Sequence, residues 1–179
     1  HWAFIQIVVQ YCFGSADASL VLHGWGDTVL SLFGYSDSDY SGDEDTRRSR
    51  TGFAWYLNRC LISWASKLQL SVSLSTAEAE YQALSAAAQE MVFIRTLLSE
   101  FGINFLKPIP LFSDNKACIA IAHNPVSHKY TKHIDIRMHF VRELITRGVL
   151  QVLYVETKNN VADIFTKPLA KAVFRMHRD

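Results

Sequence analysis

The chain has 179 residues, enough for one domain with a sizeable core. Hydrophobic residues make up 49% and charged residues 20%, which excludes a disordered or fibrous chain. The net charge of +1 by itself points to no partner.

The segment from Trp2 to Tyr11 is apolar and predicts a short helix or a strand, ended by Gly14 and Ser15. Its longest apolar run, Ile7 to Val9, is too short to span a bilayer, and no membrane partner is expected. No basic n-region or cleavage site marks a signal peptide, and a first residue other than Met suggests a piece of a longer chain. Residues 20–23 read as a short strand and Gly24 to Asp27 as a turn. Strands follow at about Val29–Tyr40, Gly52–Leu57 and Leu61–Ser66, joined by short polar turns, which predicts an antiparallel meander. Trp55 and Trp64 are expected to pack in this sheet.

Ser75, Thr76, Ala77 and Glu78 fit a capping box that opens a long helix ending near Phe101, with Gly102 as its stop. Glu80, Leu84, Ala87, Met91, Ile94 and Leu98 fall on one face of that helix. Glu78, Gln82, Ser85, Gln89, Thr96 and Glu100 fall on the opposite face, with Phe93 the apolar exception. Glu78 is explained by the cap and expected in solvent, whereas Glu80 heads the apolar stripe, where a carboxylate needs a reason. A strand at Pro110–Ser113, a helix from Asn115 to His123 stopped by Pro125, and a helix from Lys132 to Arg147 stopped by Gly148 come next. Val149–Glu156 predicts a strand, and Asn160 opens a last helical stretch interrupted by Pro168. The order β-β-β-α-β-α-α-β-α implies an α/β fold with one mixed sheet flanked by helices.

Four carboxylates sit where this topology gathers side chains: Asp37 in the first strand, Glu80 on the long helix, Asp114 at a strand end and Asp163 at the last helix start. The plainer explanations are a turn for Asp37, a cap for Asp114 and a favourable helix dipole for Asp163, and are weakest for Glu80. Strand alternation leaves Asp37 and Asp39 as alternatives, since both share a face. Carboxylates gathered at one rim repel one another, and divalent cations relieve this; oxygen-only ligands select Mg²⁺ or Mn²⁺ over zinc. Two such ions about 4 Å apart can clamp a scissile phosphate. The charge pattern agrees: five of the 17 acidic residues lie between Asp37 and Asp45, with basic runs at Arg47–Arg50, 129–147 and 158–178. The three scattered cysteines (Cys12, Cys60, Cys118) form no CxxC pair, which fits a reducing compartment. His123, His128, His133 and His139 lack a cysteine partner set, so a zinc site is not expected.

The blocks Gly34–Asp43, Thr46–Gly52, Ile62–Lys67, Leu74–Tyr81, Asp114–Lys116, Lys132–Arg137 and Ala162–Leu169 resemble, in order, the ribonuclease H domain of copia-type retrotransposon polyproteins. His1, Trp2, Tyr11, Gly14 and Ser15 resemble the end of the preceding reverse transcriptase. The resemblance therefore implies a connecting segment at 1–32 and a ribonuclease H domain at 33–179. It implies a five-stranded sheet in the order 3-2-1-4-5. It further implies endonucleolytic cleavage of the RNA strand of an RNA–DNA hybrid, with 5′-phosphate and 3′-hydroxyl ends. The family's acidic set falls on Asp37, Glu80, Asp114 and Asp163, which selects Asp37 over Asp39 and agrees with Glu80 over Glu78. Two Mg²⁺ ions, replaceable by Mn²⁺, and no small-molecule cofactor are implied. So are the adjacent reverse transcriptase as a partner and a cytoplasmic site in virus-like particles, with a product that enters the nucleus.

Two departures stand out. Thr157–Asn160 lacks the loop histidine common in ribonucleases H, and Tyr40 and Arg50 replace a frequent Trp and a frequent small residue. Arg47, Arg48, Ser75, Thr76 and Lys116 are candidate contacts to the nucleic acid. Rival readings are a domesticated or degenerate module that binds hybrids or protein without cutting, and a nuclease of the same fold acting on DNA.

Overall fold

The computed structural model describes residues 2–22, 30–124 and 132–178, with backbone alone for 132–135. The turn expected at Gly24–Asp27, Val29, the stop at Pro125, His128 and Lys129 lie outside the described residues, as do the side chains of Lys132, His133 and Asp135.

The elements are α1 (Trp2–Gly14), β1 (Leu32–Asp39), β2 (Arg50–Leu57), β3 (Cys60–Leu68), α2 (Thr76–Glu100), β4 (Ile109–Ser113), α3 (Lys116–His123), α4 (Lys132–Thr146) and β5 (Leu150–Tyr154). Two 3₁₀ turns, Thr157–Asn159 and Val161–Phe165, and α5 (Lys171–Arg178) complete the chain. The sheet order is β3-β2-β1-β4-β5. β1, β2 and β3 pair antiparallel, as a meander must, while β4 pairs parallel with β1 and β5 parallel with β4.

Expected boundaries hold to within a few residues, with three corrections. Residues 20–22 form no strand. The stretch opened by Asn160 is a short 3₁₀ turn, and the α-helix begins only after Pro168, whose ring cannot sit inside a helix. Trp64 does not pack in the core but is 52% exposed. Its neighbour Ser63 donates to Glu90 of α2 at 2.7 Å, so Trp64 points to the face that α2 leaves uncovered.

α2 is the main buttress of the sheet. Ser75 accepts from the Glu78 amide, and the Glu78 carboxylate reaches back to the Leu74 amide at 2.9 Å, one residue earlier than a standard capping box. Tyr81, Leu84, Ala87, Ala88, Met91 and Ile94 are buried from this helix, and Trp55 donates its indole N–H to the Ala87 carbonyl at 3.1 Å. Gly34 lies opposite Trp55 in the β1–β2 register because a Cβ there would sit 2.6 Å from the indole ring.

The polar face expected for α2 is not all solvated. Gln82 and Ser85 are buried because α4 and the 69–73 segment cover that side. Gln82 accepts from Arg137 of α4 and donates to Ser73, which donates to Gln69. Gln69 donates to Thr51 of β2 at 3.1 Å and to the Ala79 carbonyl at 2.9 Å. This buried polar chain ties the first turn of α2 to the sheet, so every member is satisfied by another.

α1 stands apart. None of its residues is buried, and its ring contact with the rest is Tyr11 edge-on to Phe174 of α5, with centroids 6.1 Å apart. No helix among the described residues is long and apolar enough to cross a membrane.

Candidate active site

β1 is the central strand, so its residues are covered by neighbours on both edges. Asp37, only 2% exposed, is held there by the alternation that places Phe33 and Tyr35 on the same face. β4 runs parallel beside β1 and ends at Ser113, so Asp114 follows at the carboxyl end of a strand next to Asp37. Asp114 is not the cap of α3; Asn115 is, accepting from the Cys118 amide at 2.9 Å. That leaves the Asp114 carboxylate uncommitted to the helix.

The chain returns to this rim after β5. Asn160 is wholly buried; its side chain donates to the Ser36 carbonyl at 3.1 Å and caps the turn Val161–Phe165 through the Ala162 amide. Asp163 sits in that turn and is buried. Thr166 donates to the Asp37 carboxylate, and Lys167 donates to Asp163 at 3.1 Å while lying 3.9 Å from Asp37. The turn lies close against β2 because Gly52 has no side chain. A Cβ there would meet Thr166 Cγ2 at 2.6 Å, the Ala162 carbonyl at 2.9 Å and Phe165 Cβ at 3.0 Å. Gly52→Ala is accordingly expected to cost about 1–3 kcal/mol in urea unfolding by overpacking and to weaken Mg²⁺ binding by displacing Asp163.

Carboxylate oxygens of Asp37, Asp114 and Asp163 lie within 4.8 Å of one another. Asp39, the alternative left by strand alternation, is outside this cluster. Glu80 stands beside the trio rather than in it. Burial, then the charges of Asp37 and Asp114, raise its pKa to about 9, and Ser38 offsets only part of this. Glu80 Oε2 is buried with no hydrogen-bond partner among the described residues. Burial likewise raises Asp37 to about 7; Asp163 and Asp114 add to the rise, while the Thr166 hydrogen bond and Lys167 oppose it. The Cys118 thiol is pushed up by burial first and then by Glu80 and Asp114.

These features fit a divalent cation. The donors are all oxygens, three carboxylates are clustered, one oxygen of a fourth is buried without a hydrogen bond, and burial together with mutual repulsion disfavours the charged forms of Asp37 and Glu80 unless a cation joins them.

The expected nucleic-acid contacts are less gathered. Arg47 and Arg48 lie in the β1–β2 turn, where Arg47 is exposed with a left-handed φ of 56°. No ion pair joins either to the carboxylates among the described residues. Ser75 is engaged as the α2 cap, Thr76 is exposed at the same helix start, and Lys116 lies 4.8 Å above the Tyr154 ring. His123 contacts the Val152 carbonyl at 3.3 Å and His139 is exposed, so neither joins a metal cluster. Sequence reasoning missed Gly52, Asn160, Thr166 and Lys167 as parts of the site. A signal for the last two was their place three and four residues past Asp163, which folds them back onto it in a helical turn.

The sheet order, the crossing of α2 and the acidic rim define a ribonuclease H fold. Among solved structures the chain resembles LC11-RNase H1 in complex with RNA/DNA hybrid, with a TM-score of 0.54 and 13% identity over 76% of this chain and 94% of that one. It also resembles the prototype foamy virus protease–reverse transcriptase, with a TM-score of 0.54 and 13% identity over 83% of this chain and 22% of that one. No family model matches the chain. In sequence it is 38% identical over 175 residues to the retrovirus-related Pol polyprotein from transposon RE2 of Arabidopsis thaliana, covering 98% of this chain and 12% of that one. It is 36% identical over 179 residues to the Pol polyprotein from transposon TNT 1-94 of Nicotiana tabacum, covering 100% of this chain and 13% of that one. The chain thus has the ribonuclease H fold and is similar over its whole length to one segment of the retrovirus-related Pol polyproteins of plant transposons. It spans about an eighth of the length of these relatives.

Proposed function

We propose that this chain is the catalytic ribonuclease H segment of its polyprotein, hydrolysing the RNA strand of RNA–DNA hybrids during reverse transcription and leaving 5′-phosphate and 3′-hydroxyl ends. The observation that carries this reading is the approach of Asp37, Asp114 and Asp163 within 4.8 Å, with the Glu80 carboxylate, one of whose oxygens is buried without a hydrogen bond, beside them. The Pol polyprotein relatives and the fold supply its context.

Asp37, Asp114, Asp163 and Glu80 would hold Mg²⁺ or Mn²⁺, two ions in the full reading. Such ions supply an activated water and charge stabilisation for a displacement at phosphorus. The residues themselves do the rest. Thr166 fixes one Asp37 oxygen, so the other stays available as a ligand. Asn160 fastens the Asp163 turn to β1, which keeps carboxylates from remote segments in register. Because Asp37 and Glu80 hold protons well above the ordinary carboxylate range, ion binding releases protons and tightens as pH rises toward 9.

The hybrid is the partner that this site suits, recognised by shape, phosphates and 2′-hydroxyls. Arg47, Arg48, Thr76 and Lys116 supply exposed or half-exposed donors for it, and the Ser75 hydroxyl lies at the same helix start as Thr76. The segment 1–32, in which α1 buries none of its residues, is read as the junction to the reverse transcriptase, and 33–179 as the nuclease proper. Work in cytoplasmic particles follows from that role.

The test is a cleavage assay with labelled RNA–DNA hybrid, duplex DNA and duplex RNA, with Mg²⁺ and with chelator. Mg²⁺-dependent cutting of the RNA strand of the hybrid is expected. Hybrid binding without cutting would make the chain a non-catalytic module, and preferred cutting of duplex DNA would overturn the substrate.

A further inference from the structure

Lys167 is the single basic side chain that forms an ion pair with the acidic cluster among the described residues. Its Nζ lies 3.1 Å from Asp163 Oδ1 and 3.9 Å from Asp37 Oδ2, between two of the three clustered carboxylates. It belongs to the same turn as Asp163 and Thr166, so the backbone that delivers a carboxylate to the site delivers an ammonium with it. Burial by itself would weaken that charge, but Asp37, Asp163 and Asp114 together hold the lysine protonated. Its side chain remains 36% exposed, so it has solvent to swing into.

We propose that Lys167 is a tethered counter-cation of this cluster, occupying the Asp37–Asp163 side when no divalent ion is bound and giving way when one enters. The inference rests on the metal-site reading above and adds a competitor to it. A carboxylate oxygen engaged by an ammonium at 3.1 Å is not free to face a divalent ion from the same direction. The lysine therefore lowers metal affinity while limiting repulsion among the carboxylates in the empty site. An ion must bring more charge than the ammonium it displaces, which disfavours monovalent cations.

The test compares wild type, Lys167→Met and Lys167→Arg by calorimetric titration with Mg²⁺, and with Ca²⁺ as a second probe, without nucleic acid. Thermal unfolding in chelator and in saturating Mg²⁺ accompanies it. Lys167→Met is expected to bind Mg²⁺ about tenfold more tightly than wild type, the scale of one partly screened charge pair. It should melt lower than wild type in chelator and gain more from Mg²⁺, while Lys167→Arg stays near wild type. If Lys167→Met fails to fold, Lys167→Gln takes its place. Equal or weaker Mg²⁺ binding by a folded, uncharged variant overturns the competitor role and leaves the metal site standing. Absence of binding by the wild type overturns the metal reading itself.

Discussion

Asp37→Asn is expected to abolish Mg²⁺-dependent hybrid cleavage, by about 10³-fold or more, while making the metal-free chain more stable at neutral and alkaline pH. The two effects come from one cause. In the folded, metal-free chain the Asp37 carboxyl holds its proton to about pH 7, against an ordinary value of 3.8. Between those values the folded state binds more protons than the unfolded state, so the stability Asp37 contributes falls as pH rises. It is fully present below the unfolded value and lost through the folded one. Asparagine has no proton to lose and keeps an oxygen to accept from Thr166. In chelator, the variant should exceed wild type by about 2 kcal/mol at pH 8 and match it near pH 4. Urea midpoints at the two pH values check this. A variant less stable than wild type at pH 8 would mean that the Asp37 charge is already compensated.

Glu80→Gln and Glu78→Gln should separate sharply although the residues are two positions apart. Glu80→Gln is expected to eliminate cleavage and leave the fold intact, since the carboxyl is mostly protonated without metal and has a partnerless oxygen. Glu78→Gln should cut normally and cost about 0.5 kcal/mol, because its amide oxygen can still accept from the Leu74 amide and only charge at the helix start is lost. Cleavage rates and unfolding midpoints of both variants decide the matter. Equal loss of activity would mean that the α2 face assigned to the site is wrong.

The helix-face logic worked for Glu80 because α2 has a long, regular apolar stripe whose head position cannot be solvated. It failed for Gln82 and Ser85 because periodicity sees one covering surface, whereas α2 is covered by both the sheet and α4. Trp64 failed for the converse reason: an aromatic on a strand reads as core, yet the sheet has one well-covered face and β3 is at its edge. Asp114 was legible as a strand-end residue, and the presence of Asn115 as the real cap is what frees it. The roles of Gly52 and Asn160 were not legible, because each acts on a segment more than a hundred residues away in sequence.

Asp37 and Thr166 meet across 129 residues of chain, and Asp163 arrives on the same late turn. The site is therefore closed by nearly the last piece of this segment to leave the ribosome. A nascent polyprotein would carry the β1–β3 meander, already able to form from local pairings, long before it carried the complete carboxylate cluster. Truncation or proteolysis before that turn would leave Asp37 and Asp114 without Asp163, so on the proposed reading the order of synthesis itself would delay assembly of the metal site until the turn has emerged.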